Sequence, residues 1–499
     1  MNAYIILNAL DNVAVALQDI MTGTEFEIHN QIVKVTSDIK RGHKFAIMPI
    51  GLNQDVIKYG FPIGHATAAI QTGEWVHVHN LATNLNSKLD YQYEPRSIQN
   101  HYQAGDQRTF MGYRRSTGKI GIRNNLYIIP TVGCINPLLD IVVQQFKALH
   151  PDNGSFDDVI LLKHPYGCSQ LGDDFEMTRR ILVDAATQPN AGGVLVFGLG
   201  CENNQMAGMK AAIEAYQPID EQRMKFLVSQ EVKDELGDAL DYMEELNEAA
   251  KDDQRVECPL SELKVGLKCG GSDGLSGVTA NPLLGRLSDF VVAQGGSTVL
   301  TEVPEMFGAE SILMSRAKDE ATFDKTVALI NNFKDYFESY HQPIYENPSP
   351  GNKEGGISTL EDKSLGCTQK SGTSAVCDVL NYGDKIKHSG LTMLQAPGND
   401  LVSSSALASA DCQMVLFTTG RGTPFATYVP TVKVASNSYI ADKKQRWIDF
   451  DAGQLMTKSM DELADEFIQF IIDTASGRKT NNEKYGIHGI AIFKNGVTE

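Results

Sequence analysis

The sequence has no excess of basic residues, no long apolar segment and few cysteines. Its 499 residues include 44 Lys plus Arg against 62 Asp plus Glu, a formal charge of −18 that no local basic stripe offsets. A surface of that sign is a poor partner for nucleic acid or an anionic membrane. No apolar run reaches the roughly 18 to 20 residues that a membrane helix needs. We therefore expect neither nucleic acid nor a membrane as partner.

The N-terminal segment lacks the basic start and the unbroken apolar stretch of a signal peptide. Asn8, Asp11, Asn12 and Asp19 interrupt its apolar residues. We expect the protein to stay in the cytoplasm. Its eight cysteines are few for this length, and in a reducing compartment they should be thiols or metal ligands rather than disulfides.

Common nucleotide and hydrolase motifs are absent as well. Gly198 and Gly200 follow a predicted strand, but the third position of the dinucleotide fingerprint is Asn203. The stretch GYRRSTGK, residues 112–119, has one residue too many for a P-loop. There is no HExxH and no GxSxG. The sequence therefore supports neither nicotinamide nor ATP chemistry.

The distribution of apolar residues predicts three domains. Short apolar runs between glycine-containing turns over residues 1–86 indicate a small β-rich domain. Residues 87–107 show no apolar period, as expected of an exposed linker. Beyond it, short apolar strands alternate with helical patterns, which is typical of parallel sheets. We predict two Rossmann-like α/β domains, over residues 108–258 and 259–499.

Strand positions follow from the same pattern. The predicted α/β strands cover residues 126–132, 159–164, 193–200, 224–229, 263–269, 297–303, 391–396, 414–419 and 431–435. Residues 345–372 are rich in Gly, Pro, Asn and Lys, and a segment of that length without strands is predicted to be a functional loop.

Four cysteines lie at or just beyond the ends of predicted strands: Cys134, Cys168, Cys201 and Cys269. Parallel sheets bind ligands outside the carboxyl ends of their strands, so we expect these thiols to meet near one crevice. Thiolates there suit iron or zinc better than magnesium. In the alternative interpretation each is a small buried hydrophobe beside a turn glycine. Cys367 is a fifth thiol in similar surroundings.

Histidines add further candidates. His164 ends a predicted strand four residues before Cys168, so it is a candidate ligand or general base, or a hydrogen-bonded histidine without a chemical role. His77 and His79 lie two apart on a predicted strand and would share a face, as a metal pair does. His43 and His65 lie in the same predicted domain.

Small polar residues concentrate near the thiols. A polyhydroxylated acid needs such a lining, because its hydroxyls must be paired and its carboxylate favours Arg or Lys. Asn and Gly clusters also build ordinary turns, which is the alternative. The candidate substrate-binding residues are Asn203, Asn204, Gln205, Ser272, Asn352, Lys353, Asn399 and Arg421.

Together these motifs resemble the altronate dehydratase family, which includes galactarate dehydratase and sulfolactate sulfo-lyase. The matching segments include HPYGCSQLGDD, GLGCENNQ, CGGSDGLSGVTANPLLGR, TEVPEMFGAE, NPSPGNKEGG and TLEDKSLGCTQKSG. The N-terminal part, with DNVAVAL and RGHKFA, resembles the SAF domain of full-length members. His65 falls where the family has tyrosine in its IGYA segment, so no role is transferred to it.

The resemblance implies a lyase that removes water from D-altronate to give 2-dehydro-3-deoxy-D-gluconate, with Fe²⁺ as cofactor and Mn²⁺ as a substitute. Galactarate or sulfolactate as substrate remains an alternative, as does a non-catalytic sugar-acid-binding protein. The expected partner is a small sugar acid, and the sequence does not decide between a monomer and a homo-oligomer.

Dehydration needs a base for the C2 proton and an acid for the leaving C3 hydroxyl. The candidate bases are His164 and then Lys370, and the candidate acids are Asp273 and Tyr166. We expect one iron held by a subset of Cys134, Cys168, Cys201 and Cys269. An iron–sulfur cluster is less favoured, because the four show no recognised cluster spacing.

Overall fold

The computed structural model describes residues 3–85, 88–98, 100–103, 105 and 107–499. A β-rich N-terminal part is followed by two parts that each contain a parallel sheet, which confirms the predicted fold class. No helix in the described ranges is long and apolar enough to cross a membrane.

The N-terminal part consists of short antiparallel strands: β1 (Tyr4–Ile5), β2 (Val13–Ala16), β3 (Glu25–Ile28), β4 (Gln31–Lys34), β5 (Lys44–Ala46), β6 (Asp55–Lys58), β7 (Phe61–Ala66), β8 (Trp75–Val76) and β9 (Leu81–Ala82). They form the sheets β1-β2-β5-β8, β3-β4 and β6-β7-β9. His29 and Asn30 both have positive φ between β3 and β4. Two such residues form the tight turn that fits the twist of a hairpin.

The second part contains β10 (Thr109–Arg114), β11 (Ile120–Gly121), β12 (Asn125–Pro130), β13 (Val159–Leu161), β14 (Ala191–Gly198), β15 (Met224–Val228), β16 (Val256–Pro259), α1 (Asn136–Leu149), α2 (Gly172–Ala186), α3 (Met206–Tyr216) and α4 (Glu235–Ala250). Its parallel sheet has the order β13-β12-β14-β15, and an antiparallel sheet has the order β11-β10-β16. The strand order reverses beside β12, so the crevice expected for a ligand lies at the carboxyl ends of β12 and β14.

The third part contains β17 (Lys264–Cys269), β18 (Ser297–Leu300), β19 (Val376–Leu380), β20 (Gly390–Leu394), β21 (Met414–Thr419), β22 (Thr431–Ala435), β23 (Phe450–Asp451), α5 (Ala280–Ala293), α6 (Glu310–Met314), α7 (Glu320–Ser339), α8 (Pro350–Glu354), α9 (Leu360–Cys367), α10 (Asp400–Ser409), α11 (Ser438–Lys443), α12 (Met460–Ala475) and α13 (Asn481–Lys484). All seven strands are parallel, in the order β19-β20-β18-β17-β21-β22-β23. Its order reverses at β17 and β21.

The predicted long loop over residues 345–372 contains two helices, α8 and α9. Each begins at a capping side chain, Ser349 and Thr359, whose hydroxyl accepts a backbone N–H of the first turn. The segment 87–107 is also not wholly exposed, because Tyr91, Tyr93 and Tyr102 pack against the third part. Side-chain caps and tertiary contacts therefore order segments that carry no apolar period.

The second and third parts share one apolar core between α2, α3 and α10. Their sheets are tied at the amino ends, where Gln188 Nε2 donates to Cys412 O (2.8 Å) and Asn190 Nδ2 donates to Gln413 O (2.8 Å). The carboxyl ends of both sheets therefore lie at the other end of the shared core. Buried Asp184 sits in this interface, 3.5 Å from Lys385 Nζ.

Asp184 makes the stability of this interface depend on pH. Burial, with Asp411 adding to it and Lys385 opposing it, raises the pKa of Asp184 to about 7. Since the folded pKa lies above the unfolded value, its contribution to stability is lost as pH rises from about 4 to 7. Relative to the parent, Asp184→Asn should therefore gain stability over that range, by about 4 kcal/mol in all once the pH is above 7. Denaturant unfolding at several pH values measures this.

Asp173→Asn is the matched control, because Asp173 is exposed on the same helix. A stability difference for Asp184→Asn that did not change with pH would contradict the assignment.

Candidate active site

A buried cluster of charged and thiol side chains lies at the carboxyl ends of β17 and β18. We call it the lysine–thiol cluster, and it consists of Lys268, Cys269, Glu302, Glu305, Lys363, Cys367 and Lys370. β17 supplies the first two, the turn after β18 supplies the two carboxylates, and α9 with its C-terminal turn supplies the rest. Burying charges costs free energy even when they are paired. Dense clusters of buried ionic groups are therefore typical of functional sites.

Glu302 holds the cluster together. Its carboxylate accepts from Lys268 Nζ (2.6 Å), from Lys370 Nζ (3.0 Å) and from the backbone N–H of Cys269 (2.9 Å). Glu302 has a φ of 69°, a left-handed conformation that costs a non-glycine residue energy and that clusters at functional sites. Lys268 also contacts the half-exposed Asp400 at the start of α10, at 2.8 Å.

Two thiols and one carboxylate meet inside the cluster. Cys269 Sγ lies 3.4 Å from Cys367 Sγ, and Glu305 Oε2 lies 3.0 and 3.2 Å from these two sulfurs. Among the described residues this is the one group of three possible metal ligands whose atoms all lie within 4.8 Å of one another. Two sulfurs and a carboxylate oxygen are a donor set that suits iron or zinc.

Ammonium groups surround these donors. Lys370 Nζ donates to Cys269 Sγ (2.9 Å), and Lys363 Nζ contacts Glu305 Oε1 at 2.8 Å. Burial alone would raise the pKa of Glu305, but Lys363, Lys370 and Lys268 outweigh it and lower that pKa to about 2. The contact with Cys269 and burial hold the pKa of the Cys367 thiol well above its usual value. The lysines orient the donors from outside, as outer-shell groups do around metal ligands, so the residues fit a metal ion.

A small cavity adjoins the cluster between the third and N-terminal parts. Its lining includes Lys58, Tyr59, Ser272, Asp273, Lys363 and Cys367. Ser272 Oγ is buried and has no hydrogen-bond partner among the described residues. The unpaired hydroxyl of Ser272 is therefore a candidate hydrogen-bonding group for a polar ligand in this cavity.

The N-terminal part closes this cavity through a buried ion triad. Asp362 on α9 accepts from Lys44 Nζ and Lys58 Nζ, both at 2.9 Å, and all three side chains are buried. Burial would raise the pKa of Asp362, but the two ammonium groups hold it far below its usual value. The next residue along α9 is Lys363, so the triad also fixes the helix that carries part of the cluster.

Of the predicted catalytic residues, the structure places Lys370 in the cluster and Asp273 beside it. Nearby anions outweigh burial and hold the pKa of Lys370 well above its usual value, so its side chain is a charged ammonium. Asp273 accepts from Ser436 Oγ (2.8 Å), Asn437 Nδ2 (3.0 Å) and Ser276 Oγ (2.9 Å). Three side-chain donors thus hold the carboxylate of Asp273 in place at the edge of the cluster, and its predicted catalytic role stays a prediction.

His164 and Tyr166 lie in the second part instead. The backbone N–H of Tyr166 donates to His164 Nδ1 (3.1 Å), and His164 Nε2 donates to Pro130 O (2.8 Å). Both ring nitrogens are therefore used by the backbone, and burial lowers the pKa of His164. These bonds hold the ring in place, and the predicted role of His164 as base or ligand stays a prediction. Tyr166 is half-buried, two residues before Cys168.

The structure corrects the expected meeting of four thiols. Cys269 ends a strand of the seven-stranded sheet, whereas Cys134, Cys168 and Cys201 follow β12, β13 and β14 of the four-stranded sheet. Cys269 is buried and the other three are exposed. The strands had been placed correctly, but their order in the chain does not reveal which of them share a sheet.

The predicted substrate-binding residues divide between the two sheets. Near the lysine–thiol cluster, Asn352 donates to Ser272 O (2.8 Å), and half-buried Lys353 follows it on α8. Asn399 caps α10, and Arg421 forms an exposed ion pair with Glu354. Beside Cys201, Asn203 and Gln205 are exposed while Asn204 is buried. Their predicted roles stay predictions.

The four candidate histidines of the N-terminal part, His43, His65, His77 and His79, belong to no group of three close metal ligands among the described residues. His43 Nε2 donates to Glu354 O (3.1 Å), and His77 contacts Ser358 Oγ (3.3 Å). Burial and Lys44 lower the pKa of His77 to about 3. His79 is exposed against Trp75, and His65 bonds Asn84 (2.7 Å). The two buried rings thus help to hold the segment that connects α8 and α9.

Sequence reasoning missed Lys268, Glu302, Glu305 and Lys363. A signal for Lys268 was present, because a lysine inside an apolar strand must find a buried partner. The carboxylates lie in a turn and Lys363 lies on a helix, where charged residues are ordinary, so their sequence context carried no such signal.

Family comparisons agree with this architecture. The SAF domain model of altronate/galactarate dehydratases matches residues 2–84, the second-domain model of D-galactarate dehydratase/altronate hydrolase matches residues 112–251, and the C-terminal model of D-galactarate/altronate dehydratase matches residues 260–498. The three models together define a sugar-acid dehydratase architecture.

Known relatives match over their full length. An altronate dehydratase of Bacillus subtilis (strain 168) is 57% identical over 500 residues, covering 100% of both chains. An altronate dehydratase of Escherichia coli (strain K12) is 54% identical, covering 99% of both. The galactarate dehydratase (L-threo-forming) of the same organism is 32% identical, covering 98% of this chain and 96% of that one. The chain therefore belongs to the altronate/galactarate dehydratase family.

The ion triad gives a testable energetic expectation. Asp362→Asn leaves the ammonium groups of Lys44 and Lys58 buried without a counter-charge, which should destabilise the protein by about 3 to 5 kcal/mol. Denaturant unfolding followed by tryptophan fluorescence measures this, since Trp75 lies in the N-terminal part.

Asp335→Asn is the control, because Asp335 is about half-exposed in its ion pair and should contribute less than about 1 kcal/mol. Equal effects of the two substitutions would show that the triad does not hold the N-terminal part in place.

Proposed function

We propose that the protein is a hydro-lyase that converts D-altronate to 2-dehydro-3-deoxy-D-gluconate and water in the cytoplasm. The observation that carries this proposal is the end-to-end match to an altronate dehydratase, at 57% identity over the whole of both chains. The match to galactarate dehydratase is equally long but only 32% identical, so altronate is the favoured substrate.

We further propose that Fe²⁺ binds to Cys269, Glu305 and Cys367, with Mn²⁺ as a substitute. Supporting this are the short distances between the three donors, their burial and the cavity beside them. A bound divalent ion would act as a Lewis acid toward the substrate's carboxylate and hydroxyl oxygens.

The surrounding side chains supply charge and protons. In our proposal the carboxylate of Asp273, which lines the cavity, accepts the C2 proton, and the ammonium groups of Lys363 and Lys370 stabilise the negative charge that develops on the substrate. Ser272 Oγ, which lacks a partner among the described residues, accepts or donates a hydrogen bond to a substrate hydroxyl. Burial raises the pKa of Tyr59, so this phenol lining the cavity stays protonated and is our candidate acid for the leaving hydroxyl.

A substrate panel tests the reaction. Anaerobic protein with ferrous iron and a reductant is incubated separately with D-altronate, galactarate and (2R)-sulfolactate, and 2-keto acid or sulfite is quantified. We expect D-altronate to be converted at least about 100-fold faster than the other two. Absence of 2-keto acid from D-altronate would contradict the proposal and favour a binding protein, and sulfite release would reassign the substrate.

Metal binding is tested by equilibrium dialysis of metal-free protein against ferrous iron without sulfide. Cys269→Ser, Glu305→Gln and Cys367→Ser should each lower iron occupancy at least about tenfold, because each removes one of three donors. Chelation should abolish turnover, and ferrous iron should restore it. Cys377→Ser is the control, since this half-buried thiol lies on β19, outside the donor group. Parent-level iron binding in all three variants would place the metal elsewhere.

A further inference from the structure

Three thiols outside the cavity remain without a role in the proposed reaction. Cys134, Cys168 and Cys201, which we call the thiol rim, are the exposed cysteines of this chain, whereas the other five are buried or half-buried. Free cysteine is among the most buried residue types, and exposed thiols oxidise easily. Three exposed thiols at the ends of neighbouring strands are therefore candidates for binding a ligand.

Each rim cysteine follows a glycine that its surroundings require. A Cβ on Gly133 would lie 2.7 Å from His164 O, one on Gly167 would lie 2.1 Å from Thr131 O, and one on Gly200 would lie 2.8 Å from Gln230 Oε1. The last two glycines also have positive φ. The glycines thus let three turns pack closely while each turn presents a thiol to solvent.

Backbone hydrogen bonds lock these turns together. Gly133 N–H donates to Tyr166 O (2.8 Å), and Asn204 N–H donates to Gly167 O (3.0 Å). The first bond joins the turn of Cys134 to that of Cys168, and the second joins the turn of Cys168 to that of Cys201. The spacing of the three thiols is therefore fixed by the fold before any ligand binds.

A long helix begins shortly after each rim cysteine. α1 starts two residues after Cys134, α2 starts four residues after Cys168, and α3 starts five residues after Cys201. Helix N-termini carry partial positive charge and unpaired N–H groups, which favour thiolates and other anions nearby. Three of them converging on one rim favour a ligand with net negative charge.

A buried N–H group beside the rim also lacks a partner. Gln170 Nε2, two residues after Cys168, makes no hydrogen bond among the described residues. Gln170 is only 3% exposed. An unpaired buried N–H group is what a ligand carrying acceptor sulfur or oxygen would satisfy.

In the positions that the structure gives them, the three rim sulfurs do not close around one metal ion. Three sulfurs at about 2.3 Å from one ion can be no more than about 4.6 Å apart. Within the described part of the chain, only Cys269, Glu305 and Cys367 meet a 4.8 Å limit, so at least one pair of rim sulfurs exceeds it. A cluster spans more space, because each sulfur binds a different iron.

We propose that Cys134, Cys168 and Cys201, each losing its thiol proton, ligate an iron–sulfur cluster of the [4Fe–4S] type. With three protein ligands for four irons, one iron faces solvent and can take an oxygen ligand. This site is separate from the single-ion site of the proposed function and does not depend on the identity of the substrate.

Anaerobic purification of the full chain tests the proposal. The parent protein should be brown, with about four iron and four acid-labile sulfide per chain beyond any single iron. Each of Cys134→Ser, Cys168→Ser and Cys201→Ser should lose most of the sulfide and the visible absorbance. Cys377→Ser should keep both, and so should Cys367→Ser, which alters only the single-ion site.

Iron without sulfide in the parent, or sulfide unchanged in the triple serine variant, would overturn the cluster. Circular dichroism of the triple variant checks that the fold persists, so loss of sulfide can be assigned to the thiols. A sulfide-free protein that still dehydrates D-altronate would leave the proposed function standing and remove the cluster. A protein that carries the cluster but does not dehydrate D-altronate would support the cluster and contradict the proposed function.

Discussion

The carboxylate of Asp362, held between Lys44 and Lys58, is the contact on which the arrangement of the cavity depends. It binds two strands of the N-terminal part to the helix α9 of the third part, and all three groups are removed from water. Because a buried ion triad tolerates little displacement, it fixes α9 and with it Lys363 and Cys367. The small β-rich part thereby becomes one wall of the candidate site.

Two sets of thiols share one chain but have different surroundings. Cys269 and Cys367 are buried among ammonium and carboxylate groups, where electrostatic interactions are strong and access is restricted. The rim thiols are exposed on turns at helix N-termini. Since the amino ends of both sheets are tied together through Gln188 and Asn190, both sets lie toward the opposite end of the shared core. The fold thus separates the two proposed metal sites while keeping them on one side of the molecule.

The positions of strands along the chain were predictable, because the apolar residues that form a strand are neighbours in the sequence. The predicted strands over 414–419 and 431–435 coincide with β21 and β22, since buried parallel strands are short apolar runs. The predicted strands also placed four cysteines at or after the ends of strands, where the structure has them: Cys134, Cys168, Cys201 and Cys269.

Long-range pairing was not predictable. Cys269 lies in a different sheet from the other three thiols, and Glu305 reaches it from a turn 36 residues away. The helices α8 and α9 were hidden in a segment that composition describes as a loop. Buried lysines such as Lys370 acquire their partners only when β17, β18 and α9 meet.

The central claim is that a single ferrous ion sits between Cys269, Glu305 and Cys367 and contacts the sugar acid. Crystals grown anaerobically with ferrous iron and D-altronate, measured on both sides of the iron absorption edge, test it most directly. The account predicts an anomalous peak bonded to both sulfurs and to Glu305, with substrate oxygens completing its coordination. Iron density confined to the thiol rim, with the cavity beside Ser272 empty, would contradict it.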